Sequence, residues 1–293
     1  MTPKFQQQAH APLFPRVLYN RPVTRTGAGR LLVVGGHRSE FSLPIGLNQL
    51  ALAAGAGECR VILPDALTPL LAGAPGAFFG ASTQSGSLSR EALGHILQLA
   101  EDTDALAVGA SLSNNSDTTM LTERLITEAT GSLIIFDDGA TTATAIAQRV
   151  ATRANTLFVL TMPQVFKLAN ALELTIHVRP GGGLINKTEI VERLATAIAG
   201  DIAVFGTELI VAGHNSGLTV TPINYRLSTQ PALIYAIVAT FWIQNRHQPA
   251  AGLTTGAYVI NQIGEQFSQT DSPTLTQLDR ALRQTLRATE DTW

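Results

Sequence analysis

Between residues 30 and 270 the chain alternates short apolar runs with longer stretches of helical spacing. The runs are Leu31–Val34, Cys59 onward in CRVILPD, 104–110 in DALAVGA, Leu133–Phe136, Thr156–Thr161 and DIAVFG at 201–206. Each reads as a buried strand, because a strand covered on both faces carries apolar residues continuously. Helices are expected at 42–57, where the pattern stops at Gly55 and Gly57, and at Ser89–Glu101, Asp117–Thr130 and Thr142–Thr152. Others run through Phe166 and Leu172, and along KTEIVERLATAIAG to Gly200 after the turn RPGGG at 179–183. ELIVAGHNSGLTVTP differs: two β-rich segments flank HNSG, so it reads as a hairpin at a sheet edge with His214 in its turn. Helices at Ala250–Gln266 and Thr274–Thr289 end the chain. The alternation predicts a three-layer α/β/α fold with a mostly parallel central sheet and an antiparallel edge hairpin.

One stretch stands out. Ala232–Ile243 has no charged residue. It is too short for a bilayer, which takes roughly 20 residues, and reads as a helix buried on all sides. Ser228 and Thr229 are candidate caps for its start, and Pro231 suits a first turn. Free N–H groups at Thr229 and Gln230 would make that start a candidate anion site. At the other end of the chain, residues 1–23 hold four prolines and three consecutive glutamines. They read as an extended arm or a disordered tail, leaving 24–293 as one domain. In sheets of this type ligands bind beyond the C-terminal strand ends. The candidate loops are 35–44, 109–116, 137–142, 161–164 and 228–231.

Composition narrows the chemistry. Hydrophobic residues make up 45% and charged residues 14% of the 293, enough for a large core. A net charge of −2 gives no electrostatic case for nucleic acid. No apolar run reaches membrane-spanning length and no signal-peptide pattern opens the chain, so a cytoplasmic location is expected. The single cysteine, Cys59, excludes an internal disulfide and reads as a small core residue. The six histidines show no ligand spacing; among them only His37 falls in a candidate ligand loop. Gly35-Gly36 after the first strand lacks GxGxxG spacing and reads foremost as a tight strand-to-helix turn. Asp137-Asp138 at a strand end fits either a Mg²⁺ ligand pair or a helix cap.

Taken in order, these segments resemble a known family. GRLLVVGGHRSEFSLPIGLNQLALAAGAG (29–57), DALAVGASLSNN (104–115) and TLFVLTMPQVFKLANAL match the order and spacing of the ADP/ATP-dependent NAD(P)H-hydrate dehydratases. So do FGTELIVAGHNSG and PALIYAIVATFWIQNRHQPAAGLTTGAYVINQIGEQ. The resemblance covers about 30–267 and implies a ribokinase-like fold. It also implies nucleotide-dependent repair of hydrated nicotinamide cofactors: the hydrate hydroxyl is phosphorylated and phosphate then leaves. In the family an aspartate at the start of the buried helix acts as base, and the glycines before it donate N–H groups to the moving phosphate. Assembly into a homo-oligomer is implied as well; the epimerase domain fused to some members is expected to be absent.

The motifs themselves depart from the family. The GTGD positions fall on Thr229, Gln230, Pro231 and Ala232, so the aspartate position is Ala232. Between Ile202 and Thr270 there is no aspartate, and the glutamates are Glu208 and Glu265. HPGE becomes Met162-Pro163-Gln164-Val165, the lysine of KGAGT becomes Phe205, and GPGLG becomes Gly109-Ala110-Ser111-Leu112-Ser113. Asp138 corresponds to the family's strand-end aspartate. The leading expectation is a protein of this fold that has lost the dehydration reaction. It would keep at most a weak pocket for ADP, ATP or NAD(P)H, formed by Gly35, Gly36, His37, Gly109, Asn114, Asp138, Gly206, Thr229 and Gln230. Alternatively Phe205, Met162 and Tyr235 fill that pocket. A second expectation is an active dehydratase with a relocated base, taken from His37, Glu40 or Asp138; a third, weaker one is an unrelated small-molecule kinase on this fold.

Overall fold

The computed structural model describes residues 5–175, 183–213, 216–267 and 272–291. Most of the RPGGG turn, His177, and His214 and Asn215 of the hairpin turn lie outside them. The N-terminal third comprises β1 (Phe5–Gln7), α1 (Pro15–Tyr19), β2 (Arg30–Gly35), α2 (Ser42–Ala53), β3 (Glu58–Pro64), α3 (Thr68–Leu71), β4 (Ala77–Gly80) and α4 (Leu93–Glu101). The middle continues with β5 (Ala105–Ala110), α5 (Ser116–Glu128), β6 (Ser132–Phe136), α6 (Asp137–Ala145), α7 (Ala147–Ala151), β7 (Thr156–Thr161), α8 (Met162–Ala171) and α9 (Leu184–Ala197). Last come β8 (Asp201–Phe205), β9 (Glu208–Ala212), β10 (Leu218–Pro222), α10 (Tyr225–Ser228), α11 (Pro231–Gln244), α12 (Pro249–Gly264) and α13 (Leu275–Asp291).

All ten strands form one sheet in the order β1-β10-β9-β8-β7-β6-β5-β2-β3-β4. Pairing is parallel from β4 through β8, then antiparallel at β8–β9 and β9–β10. The strand pleat divides the core. Leu31 and Val33 of β2 face a cluster with α2, α11, α12 and α13, while Leu32 and Val34 face the cluster of α4, α5 and α8. The three-layer architecture expected from the alternation is therefore present, with the antiparallel strands at one end of the sheet.

Helix α11 is the centre of the first layer. Every residue from Leu233 to Ile243 is buried. Two of its polar side chains are paired: the Trp242 indole N–H donates to Asp201 at 2.8 Å, and Gln244 donates to the carbonyls of Ala28 and Gly55, whereas the buried Thr240 hydroxyl has no partner among the described residues.

Four elements differ from expectation. The strands β1 and β4, three and four residues long, are too short to be read from pattern. Residues 5–7 take the extended-arm alternative on the chain's own sheet: β1 pairs parallel with β10. Gln8 anchors it, 1% exposed, with its amide donating to Thr221 Oγ1 at 3.0 Å and the Thr254 carbonyl at 2.8 Å. Helix α6 begins at Asp137 instead of Thr142, because Asp137 itself makes the turn out of β6. Finally, Ser228 and Thr229 do not cap α11: Ser228 ends α10, and the N-cap is Gln230, without a side-chain cap bond.

Candidate functional site

The C-terminal ends of β2, β5 and β6 are drawn together by bare backbone. A methyl group on Gly35 would lie 2.1 Å from the Ala110 carbonyl oxygen, and Gly36 N–H donates to that same oxygen at 2.7 Å. Gly109 holds φ +136°, and a methyl there would lie 1.8 Å from the Phe136 carbonyl oxygen. Only glycine fits such a crossing without displacing a strand end. Gly35, Gly36 and Gly109 thus lie together, and they allow close packing of three strand ends.

Asp137 follows at φ +49°, and Ser111, across from it, has φ +53°. Both are non-glycine residues in left-handed conformation, which costs of order 1–3 kcal/mol each and persists only where surroundings enforce it. Those surroundings are visible. The Asp137 carboxylate accepts the Ser111 N–H at 2.9 Å, and the Asp137 carbonyl accepts the Gln164 amide at 3.0 Å. Gln164 also accepts the Thr161 N–H at 2.8 Å, closing a capping box on α8. It therefore ties β7 to β6. Reading Gln164 only as a lost motif position misses this; its spacing from Thr161, a capping-box spacing, is the signal that could have found it.

Carboxylates crowd this corner. Burial, then the Asp137 charge, push Asp138 up to about 6, although it accepts a Leu112 N–H. Burial also raises Asp137, with Glu40 contributing. Glu40 is held below its usual range, chiefly by the Ser42 hydroxyl at 2.5 Å. Asp137 and Asp138 accordingly bind the loop after β5 through the Ser111 and Leu112 N–H groups, and Asp137 also accepts the Asp138 N–H in the first turn of α6. Among the described residues no group of three His, Cys, Asp or Glu side chains is placed to hold a metal ion.

His37 is half-buried, and its backbone exchanges hydrogen bonds with Glu40 at 2.8 and 3.0 Å. Its Nδ1 accepts the Ser39 N–H at 3.3 Å. Asn114 is exposed, and its neighbour Asn115 caps α5 through Thr118 N–H at 2.8 Å. Gly206 has open space around its Cα, beside the Lys187–Glu208 ion pair at 2.9 Å.

The start of α11 is built differently. The Gln230 N–H donates to the Leu227 carbonyl at 2.9 Å, and the Thr229 N–H turns back to the same carbonyl. Pro231 has no N–H, and Leu233 and Ile234 donate to Gln230. The free donors expected at Thr229 and Gln230 are thus taken, because α10 runs directly into α11 and supplies an acceptor. Asn224 fixes α10, accepting the Arg226 N–H at 2.9 Å and donating to the Gly264 carbonyl at 3.0 Å. Ala232 packs toward Gly46 of α2, where an added methyl would lie 3.4 Å from its Cβ and 3.5 Å from Leu275. A side chain at 232 faces an apolar seam.

Between the two corners lies an aromatic stack. Tyr235 stacks on Phe136 at 4.5 Å between ring centroids and meets Phe205 edge-on at 5.6 Å. Burial, then the charges of Asp137 and Asp138, push its phenol above the ordinary range. Of the three residues in the filled-pocket alternative, Phe205 and Tyr235 meet here, but Met162 does not join them: it packs in the core on the other face of the sheet.

No family model matches the chain. Over 154 residues it is 30% identical to the bifunctional NAD(P)H-hydrate repair enzyme Nnr of Thermofilum pendens, a stretch covering 51% of this chain. The chain spans only about 29% of that relative's length. A ribokinase-like superfamily protein from Enterococcus faecalis superposes with TM-score 0.75 at 17% identity, covering 97% of this chain and 96% of its own. The ADP/ATP-dependent NAD(P)H-hydrate dehydratase of Bacillus subtilis, crystallised with ATP and Mg²⁺, gives 0.68 at 13% identity, covering 99% and 100%. The fold is ribokinase-like, and the resemblance to the hydrate dehydratases read from residues 30–267 recurs in both sequence and structure comparisons.

Proposed function

We propose that this chain is a hydrate-dehydratase-like protein that does not carry out nucleotide-dependent dehydration, and that its strand-end cleft holds nucleotides weakly. The observation that carries this reading is the Leu227 carbonyl, which accepts from both Thr229 and Gln230 where a transferring phosphate would need free donors. Phosphoryl transfer depends on such donors and on a positioned base. Neither is available at the start of α11, where position 232 carries a methyl against Gly46 and Leu275. The facing corner adds negative charge from Asp137 and Asp138, which opposes a polyphosphate. No helix among the described residues is long and apolar enough to cross a membrane. A cytoplasmic homo-oligomer, with residues 24–293 as one domain, completes the reading.

The test is direct. Purified protein is incubated with hydrated NADH or NADPH and with ADP or ATP, and recovery of 340 nm absorbance is followed. No turnover above a heat-treated control is expected; turnover abolished by a substitution at the strand ends would overturn the proposal.

One observation favours a second reading, an active enzyme with a relocated base. Asp138, pushed up to about 6, is suited to exchange a proton near neutral pH. That reading requires Asp138→Asn to abolish a measured activity, and its rate to rise through about pH 6.

A further inference from the structure

The outer helical layer holds a feature that the strand-end cleft does not use. A cavity of about 470 Å³ lies between the N-terminal segment and α12, with Pro12, Pro15, Leu18 and Tyr19 in its walls. A second, of about 340 Å³, opens between α12 and α13, with Gln262, Glu265 and Thr285 in its walls. Tyr258 and Thr289 line both. The two spaces therefore meet at Tyr258, and together they have the size of a small-molecule site.

Tyr258 lines both cavities; the residue is 9% exposed, and its hydroxyl is open to solvent and makes no hydrogen bond with any described residue. A ligand in the cavities can supply the partner that the protein does not. Tyr258 shares the wall of the smaller cavity with Glu265 and that of the larger with Tyr19. Thr289, the other shared residue, is already satisfied by the Leu286 carbonyl at 2.7 Å.

We propose that the two cavities form one bipartite site for an amphipathic amine. Its apolar body lies against Pro12, Pro15 and Leu18, and its ammonium sits between the Tyr258 hydroxyl and the Glu265 carboxylate. Charge decides the class of ligand. Among the described residues, Glu265 is the one acidic or basic side chain lining the smaller cavity, and His10 is the one titratable group besides the tyrosines in the larger. An anion would meet Glu265 without a lysine or arginine to offset it. A cation gains the carboxylate, the phenol oxygen as acceptor, and the tyrosine ring faces. None of these residues belongs to the strand-end cleft, so the inference does not depend on what that cleft does.

The test uses the full chain and three probes of matched shape: 2-phenylethylamine, 2-phenylethanol and 3-phenylpropionate. Ligand-observed NMR and calorimetry are run on the wild type, Tyr258→Phe and Glu265→Gln. The amine is expected to bind with a submillimolar Kd, the alcohol more weakly and the carboxylate not measurably. Each substitution should weaken the amine about tenfold. Tyr258→Phe should keep the wild-type Tm, since it removes a hydroxyl that bonds no described residue, and this separates lost binding from lost folding. Equal binding of amine and carboxylate would overturn the proposal. So would no amine binding up to about 10 mM, or unchanged amine binding in both variants.

Discussion

Two corners of this molecule face each other across Tyr235, and they have been settled in opposite ways. At the β5–β6–β7 corner, strain and charge persist: Asp137 and Ser111 stay left-handed, three carboxylates share one field, and Gln164 binds the loops together. At the α11 corner, tension is absent: α10 accepts the N–H groups, and Ala232 packs on Gly46. Strain that survives needs a structure over-determining it, and it concentrates at ligand and catalytic sites. On the function proposed above, one wall of the cleft keeps a strained geometry while the other is ordinary helix packing. The difference teaches that one short helix can take up the N–H groups at the start of α11 without relaxing the opposite wall.

The comparison breaks most sharply at Gly109. Gly109→Ala forces a methyl toward the Phe136 carbonyl oxygen at φ +136°. A loss of about 3 kcal/mol is expected in denaturant unfolding, from overpacking and backbone strain together. Loss within a few tenths of a kcal/mol would mean that this corner is loose. At the other corner, Asn224→Ala removes the acceptor for Arg226 N–H and the donor to Gly264. Its cost should be about 1–2 kcal/mol, with faster hydrogen exchange confined to 225–230.

The alternation of apolar runs made the sheet, its two helical layers and α11 readable, because continuous burial leaves no polar interruptions in the sequence. β1 was unreadable for the opposite reason: two of the three residues Phe5-Gln6-Gln7 are polar, and its place depends on Gln8 meeting Thr221 and Thr254, far away in the chain; β4, Ala77–Gly80, is apolar but only four residues long. The site was legible in part. The glycines and Asp138 lie at the strand ends where the sequence placed them, whereas the donors at Thr229 and Gln230 were misjudged. Nothing in STQPA announces that Tyr225–Ser228 turns into a helix and spends them.

The smallest effect concerns charge. Asp138 sits at about 6 against an ordinary 3.8, so the folded state favours its protonated form. Its contribution is complete below about pH 4 and is lost as pH rises toward 6. After allowance for partial exposure, the loss is about 1 kcal/mol. Urea unfolding of the wild type should therefore weaken across that window relative to Asp138→Asn, which should be the more stable of the two at pH 7. Parallel curves would remove the charge crowding from the account.

The central claim is that the start of α11 is closed to phosphate. Calorimetric titration of the purified chain with ADP and with ATP, each with and without Mg²⁺, tests it most directly. The expected result is a Kd in the high micromolar range or weaker, unchanged by Gln230→Pro, which removes an N–H that is already bonded to Leu227. A low-micromolar Kd that Gln230→Pro weakens tenfold would contradict it, because that N–H would then be holding nucleotide.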